Sequence, residues 1–170
     1  MARLWDKGLP LDERILRFTA GEDHKLDERL VAYDARASIA HARMLEKQQL
    51  LTAVDCKAIC DGLEALAAAH AAGEWSIELA DEDAHSALER RLTERIGETG
   101  GRVHLGRPRN DQVLVALRPY LRDAIDALVR DTNSVVAALE RVAGEQGGVA
   151  LPGYTHMQPA MASSVALWAG

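Results

Sequence analysis

A long amphipathic pattern between Asp111 and Glu145 constrains the fold of this chain more than any other part of its sequence. Apolar residues recur along it at intervals of three, four or seven positions, which is the spacing of one face of an α-helix. The stripe consists of Leu114, Leu117, Leu121, Leu128, Val135, Leu139 and Val142. Because a helix of this length is typical of helical bundles, the sequence predicts a mainly α fold.

Pro119 interrupts this pattern, and we expect a kink within residues 115–119 because proline lacks a backbone N–H and crowds the carbonyl four residues earlier. Residues 160–169 suggest only the start of a second long helix, so the apolar stripe has no complete partner in the sequence. We therefore expect these residues to be the front part of a longer protein. Residues 1–108 would form an N-terminal helical domain, and residues 109–170 the beginning of a central helical bundle.

Three shorter helices are predicted before the long one, over residues 26–50, 52–73 and 81–96. Thr52 followed by Asp55 resembles a capping box, and acidic residues open the third helix. The inward faces are predicted to be Leu26, Leu30, Ala37, Ala40, Met44 and Leu51 in the first helix, Ile59, Leu63, Leu66 and Ala67 in the second, and Ala84, Leu88 and Leu92 in the third.

Charge and composition narrow the classes of function. The chain has 26 acidic and 20 basic residues and a formal net charge of -6, which disfavours binding to nucleic acid and favours small-molecule chemistry. We find neither a signal peptide nor the roughly 20 consecutive apolar residues that span a membrane, so we expect a cytoplasmic protein. Cys56 and Cys60 are too few for a four-ligand zinc site and are expected to be buried thiols.

Positive charge is concentrated in one segment of this acidic chain. Arg102, His104, Arg107 and Arg109 lie just before the long helix, for which Asn110 is a suitable N-cap. The forked guanidinium groups beside the positive end of a helix dipole predict a site for carboxylate or phosphate. The alternative is that the arginines pair with the surplus carboxylates of the chain.

Two further segments contain groups that can transfer or bind protons. Thr155, His156 and Gln158 follow one another in a loop, and histidine titrates near neutral pH, so His156 is a candidate for proton transfer. The alternative is an ordinary surface histidine. At the start of the third helix, Asp83 precedes His85, which is within reach of the glutamates one turn away; the alternative is a solvated, capped first turn.

Taken together, residues 82–85, 102–112 and 151–158 resemble, in order and separation, the N-terminal portion of argininosuccinate lyase, in the fumarase and aspartase superfamily. The pair Leu4 and Trp5 and residues 26–30 fit the same family. This resemblance implies a fumarase/aspartase-like bundle of long helices. It also implies the reversible β-elimination of argininosuccinate to arginine and fumarate, the last step of arginine biosynthesis, without a metal or organic cofactor.

The resemblance also implies roles for individual residues and an assembly. Arg109, Asn110 and Thr155 would hold the succinate carboxylates, and His156 would take part in proton transfer. Arg107, Asp83, His85 and Gln158 would line or support the same pocket. Family members form homotetramers whose active sites combine several subunits, and nothing here resembles their loop with the catalytic serine. We therefore expect little turnover from these 170 residues alone.

The sequence departs from the family pattern in ways that leave other interpretations open. Pro108 stands where the family has serine, and Asp23 stands where a small hydroxyl residue or asparagine would contact the arginine part of the substrate. One alternative is a different fumarate-yielding substrate. A second is a non-catalytic structural or assembly module, like the lens crystallins related to this family.

Overall fold

A computed structural model describes residues 12–170 of the chain, so the pair Leu4 and Trp5 lies outside the described residues. Within this range the fold is mainly α, as predicted, with a small antiparallel sheet. The α-helices are α1 (Glu13–Ala20), α2 (Asp23–Leu26), α3 (Val31–Lys47), α4 (Ala53–Ala71), α5 (Ala84–Ile96), α6 (Arg109–Gln146) and α7 (Val165–Ala169), and the strands are β1 (Ala150–Thr155) and β2 (Gln158–Ser164).

The chain divides into two compact units, one ending at Leu121 and the other comprising Arg122–Gly170. In the first unit α3, α4 and α5 surround a hydrophobic core, whose largest fully buried apolar side chains are Ile59, Leu63 and Leu92. The division falls inside α6 because that helix is longer than the elements that accompany it. The domain boundary expected after residue 108 stays a prediction.

Capping side chains determine where α4 and α5 begin. The hydroxyl of Thr52 accepts a hydrogen bond from the backbone N–H of Asp55 at 3.1 Å, as the sequence predicts. The carboxylate of Asp83 accepts one from the backbone N–H of Ser86 at 2.9 Å. Since Asp83 is the cap, α5 starts at residue 84 and not near residue 81, where the acidic run begins.

The inward faces of α4 and α5 are confirmed, whereas the face predicted for residues 26–50 is wrong at most of its positions. Leu51 is buried and Leu30 packs against the core, but the other four predicted residues are not buried. Leu26 is 56% exposed and Met44 is 44% exposed, although both were expected in the core. The face of α3 that is buried contains Val31, Asp34, Ala35, Ser38, Ala42 and Leu45. Apolar periodicity misses this face because it treats the two polar residues as solvent-facing.

Helix α6 confirms the long predicted helix but not its predicted cap. Asn110 is the second helical residue, and the carbonyl of Pro108 accepts the first helical hydrogen bonds, from the backbone N–H groups of Asp111 and Gln112. The restricted φ of proline suits this position before a helix. The helix continues through Pro119, and the predicted kink stays a prediction.

The apolar stripe of α6 is largely uncovered in the described chain, as expected. Leu114 is 53% exposed in the first unit, and in the second unit Leu128 and Val135 are 66% and 58% exposed. Gln112 and Ala116, near the start of the helix, are the residues of α6 that are buried. Exposed apolar side chains in such a row normally require a partner surface.

Residues 160–169 were expected to begin a helix, and this expectation is wrong for residues 160–164. They form β2 and the short α7, and β2 pairs with β1 in an antiparallel hairpin. Gly153 permits the close approach of the strands, because a Cβ there would lie 2.1 Å from the carbonyl oxygen of Met161. Helix α7 begins where the Ser164 hydroxyl accepts the backbone N–H of Leu167.

Two smaller observations complete the fold. Cys56 and Cys60 are free and buried, as predicted, and burial raises the pKa of the Cys56 thiol. None of the helices in residues 12–170 is both long and apolar enough to cross a membrane.

Candidate active site

A pocket of about 330 Å³ lies in the first unit, where α1 and the start of α2 face the start of α5 and of α6. Ile15, Thr19 and Ala20 supply its wall from α1. Its charged lining residues are Asp23, Glu82, Asp83 and Arg109. Two residues predicted as substrate-binding, Asp83 and Arg109, therefore share one pocket, and Asp23 lies in the same pocket.

Arg109 is the cationic side chain among the residues that line this pocket, and it already has partners. One of its terminal nitrogens pairs with the Asp83 carboxylate and donates to the Ser86 hydroxyl at 2.7 Å. Because Asp83 caps α5 as well, a single carboxylate connects the first residue of α6 to the first turn of α5. The Arg109 side chain is 40% exposed, so it remains accessible to a ligand.

The other cationic groups of the predicted anion-binding segment also have partners. Arg102 donates to the Asp55 carboxylate at 3.0 Å, and His104 lies 3.4 Å from the carboxylate of Glu89. Arg102 and His104 therefore follow the alternative interpretation, in which the cationic groups of the segment pair with carboxylates of the chain. Arg109, at the pocket, is the member whose position best suits a ligand.

Arg107 has a different environment from Arg109. It is half-buried, and its Nη2 donates to the hydroxyl of Ser38 at 2.9 Å. Burial lowers the pKa of Arg107, and the nearby carboxylates of Asp34 and Asp111 oppose this effect. Arg107 therefore belongs to a polar cluster beneath the loop and does not line the pocket.

The predicted partners of His85 are wrong. The sequence placed it beside glutamates one turn away, but its imidazole is buried, with 5% exposed, and its Nδ1 pairs with the Asp34 carboxylate of α3. The reason is helix orientation: α5 turns this residue toward the core between Ala84 and Leu88, away from solvent. We call Asp34, Ser38, His85, Arg107 and Gln112 the buried polar cluster.

Sequence reasoning missed three members of the buried polar cluster, namely Asp34, Ser38 and Gln112. A signal was present, because Asp34 and Ser38 are four residues apart on a helix and so lie on one face, next to apolar residues of that face. It also missed Asp27, whose carboxylate accepts the backbone N–H of Ala84 at 3.2 Å. Burial raises the pKa of Asp27, and the charge of Asp83 adds to this effect.

Thr155, His156 and Gln158 belong to the second unit, where the hairpin brings them together. Thr155 and Gln158 pair across the end of the two strands, and His156 occupies the turn between them. His156 has a φ of 57°, in the left-handed region that histidine tolerates better than most side chains. All three side chains are exposed, and Asn110, in the first unit, is exposed as well.

Residues 12–170 contain no cluster of three or more histidine, cysteine, aspartate or glutamate side chains arranged to hold a metal ion. The side chains at the site can supply hydrogen bonds, charge and proton transfer. The guanidinium of Arg109 suits a carboxylate, whereas Asp23 and Glu82 suit a cationic group. A ligand with both kinds of group fits this lining best.

Comparison with known proteins assigns the class. Residues 11–169 match the protein family described as Lyase, and the chain belongs to this family. Its relatives narrow the assignment: the chain is 48% identical over 167 residues to an argininosuccinate lyase of Sorangium cellulosum, covering 98% of this chain and 39% of that protein.

Two other relatives with the same name show a similar extent of matching. The argininosuccinate lyase of Thermotoga neapolitana is 39% identical, covering 99% of this chain and 42% of the relative. That of Xylella fastidiosa is 42% identical, covering 97% and 37%. The chain thus spans about two fifths of the length of these curated relatives.

Proposed function

We propose that the protein containing this chain is an argininosuccinate lyase, which converts argininosuccinate to arginine and fumarate by a reversible β-elimination. The observation that carries the proposal is the 48% identity over 98% of the chain to a relative of that name. The lining of the pocket supports it. Argininosuccinate has carboxylates, which suit Arg109, and cationic groups, which suit the acidic residues around Arg109.

The chemistry requires a base, a charge-stabilising group and a route for the departing guanidino group. A base removes the proton from the succinate carbon next to a carboxylate, and the electron pair of that bond forms the carbon–carbon double bond of fumarate. The carbon–nitrogen bond breaks, and its electron pair passes to the guanidino nitrogen of the departing arginine. Negative charge builds up on the adjacent carboxylate, so preorganised donors around it lower the barrier. In this proposal Arg109, Asn110 and Thr155 supply those donors.

His156 takes part in proton transfer, and Gln158 supports it from the opposite strand of the hairpin. The imidazole of His156 is exposed at the turn of the hairpin, which suits a group that exchanges a proton with substrate. Asp83 orients Arg109 through their ion pair, while Arg107 and His85 support the pocket from the buried polar cluster.

The proposal extends to assembly and location. Apolar residues exposed along α6 support a bundle formed with further helices, and we propose a homotetramer. The acidic net charge supports a small-molecule substrate and not nucleic acid. We propose that the enzyme works in the cytoplasm and needs no metal or organic cofactor.

The test is the release of fumarate from argininosuccinate by the native protein, followed by ultraviolet absorbance. His156→Asn should lower kcat by about 10²-fold or more, since positioned proton transfer contributes about 10²–10⁴-fold. Asparagine tolerates the left-handed backbone of this position, so the turn should be retained. Met157→Asn, in the same turn and 91% exposed, is the matched control and should keep its activity.

Two results would contradict the proposal. If the native protein released no fumarate from argininosuccinate, the assigned reaction would be wrong, and release from another succinyl compound would favour a different substrate. If His156→Asn kept the kcat of the Met157→Asn control, the role of His156 would be wrong while the reaction stood.

A further inference from the structure

Asp34 is a fully buried carboxylate with several hydrogen-bond partners. Its Oδ2 accepts from Nδ1 of His85, and its Oδ1 accepts from the Ser38 hydroxyl at 3.2 Å. The Gln112 amide nitrogen lies 3.4 Å and 3.5 Å from its two oxygens. A buried carboxylate is costly unless it is paired and hydrogen-bonded, so its partners hold it in one orientation and are oriented by it in turn.

The same carboxylate connects to the loop before α6. Ser38 donates to Asp34 and accepts from Nη2 of Arg107, so the hydroxyl uses both its donor and an acceptor position. Through these contacts Asp34 joins α3 to the loop at Arg107, to the first turn of α6 at Gln112 and to α5 at His85. Each of those segments carries a residue of the candidate active site.

The two ring nitrogens of His85 have different surroundings. Nδ1 faces Asp34, whereas Nε2 is buried and has no hydrogen-bond partner among the residues described. An ionised carboxylate only accepts hydrogen bonds, so Nδ1 carries the proton of this contact and donates it to Asp34.

We propose that Asp34 is a positioning residue: it fixes the tautomer and orientation of His85, which supports the site proposed for the substrate. The inference rests on the proposed function for the identity of that substrate, and on the geometry of the buried polar cluster for everything else. Asp34 acts through His85 and does not itself contact the substrate.

Asp34→Asn tests this with little change in side-chain volume. An amide offers one acceptor and one NH₂ donor to three donors, so at least one of His85, Ser38 and Gln112 loses its acceptor. If the new NH₂ group faces Nδ1, the imidazole moves its proton to Nε2. The tautomer is read from the ¹⁵N shifts of selectively labelled histidine at alkaline pH, where imidazoles are neutral, with His85→Gln identifying the signal.

We expect His85 to carry its proton on Nδ1 in the native protein and to shift toward the Nε2-protonated form in Asp34→Asn. We also expect kcat/KM for argininosuccinate to fall at least about tenfold, because an asparagine behind a functional histidine imposes the wrong tautomer, which costs up to about 10⁴-fold in serine proteases. Asp55→Asn is the control: this carboxylate pairs with Arg102 and has no contact with His85. It should leave both the tautomer and kcat/KM unchanged.

Either of two results overturns the proposal. The first is an unchanged Nδ1 tautomer in Asp34→Asn, and the second is a kcat/KM equal to that of the Asp55→Asn control despite a changed tautomer. If the native protein releases no fumarate at all, the proposed function fails, and the tautomer measurement still decides whether Asp34 sets His85. Urea unfolding of both variants shows whether a fall in activity merely follows lost stability.

Discussion

Substitution of Asp83 separates two contacts that one carboxylate makes at the candidate active site. The side chain caps α5 through the backbone N–H of Ser86, and it forms an ion pair with Arg109. Asparagine is also a good N-cap but carries no charge, whereas alanine can make neither contact. The variants Asp83→Asn and Asp83→Ala therefore remove the contacts in two steps.

The structure determines the expected size of each step. The capping bond is 2.9 Å long, and losing such a cap costs about 1 kcal/mol, within a range of about 0.5–2 kcal/mol. The side chains of Arg109 and Asp83 are 40% and 21% exposed, so solvent screens their attraction, and about 0.2–1 kcal/mol is expected for the pair. Asp83→Asn should therefore destabilise the fold modestly, and Asp83→Ala by about 1 kcal/mol more.

Urea unfolding followed by far-ultraviolet circular dichroism at neutral pH measures these differences. A double-mutant cycle with Arg109→Gln isolates the ion pair, whose coupling should be below about 1 kcal/mol and should weaken as salt is added. Equal losses of stability in Asp83→Asn and Asp83→Ala would refute the assignment of Asp83 as the cap. A coupling of zero at low salt would refute its pairing with Arg109.

Three further predictions concern packing, pH and the long helix. Gly62→Ala places a Cβ 2.5 Å from Cδ1 of the fully buried Leu92, so it should destabilise the native chain by about 1 kcal/mol. In the Leu92→Ala variant this clash is absent and only helix propensity acts, so the same substitution should be stabilising. Chemical denaturation of the four proteins tests this reversal. Burial raises the pKa of Asp27 above 3.8, so the folded state holds this proton to a higher pH than the unfolded state does. The folded state therefore loses stability as pH rises from the unfolded pKa to the folded pKa. Asp27→Asn should remove this slope when the free energy of unfolding is measured against pH. Pro119→Ala should raise the free energy of unfolding by about 1–3 kcal/mol, because it restores a hydrogen bond to the carbonyl of Val115 inside α6, and an unchanged melting curve would contradict this.

The sequence predicts the helices well where apolar spacing is uninterrupted and side chains cap the ends. Helices α4 and α5 have buried faces that follow the helical period, and Thr52 caps the first of them as expected. The hairpin of β1 and β2 was missed because its strands are short and contain prolines, Pro152 and Pro159, and because its turn depends on His156 adopting a positive φ. No apolar pattern in residues 150–164 distinguishes such strands from a loop followed by a helix.

The sequence predicts those residues of the candidate active site that lie in a charged segment, but not the charged residues that are buried. Arg109 stands out in the sequence because it lies in a cationic segment, and the structure places it at the pocket. Asp34 has no such signal, because a single aspartate in an amphipathic helix is normally assigned to the solvent face. Yet the spacing of Val31, Asp34, Ala35 and Ser38 puts all four on one face, and Val31 and Ala35 are too apolar for that face to be exposed.

A buried polar residue on such a face needs partners from other elements, and this requirement is itself informative. For Asp34 the partners come from α5 and from the beginning of α6, the two places where the sequence motifs lie. The residues that bind a ligand can vary in their solvent-exposed contacts, whereas a carboxylate that orients them from inside the core has few alternatives. Polar residues that interrupt a buried helical face are therefore the places in this sequence where a search for positioning residues should begin.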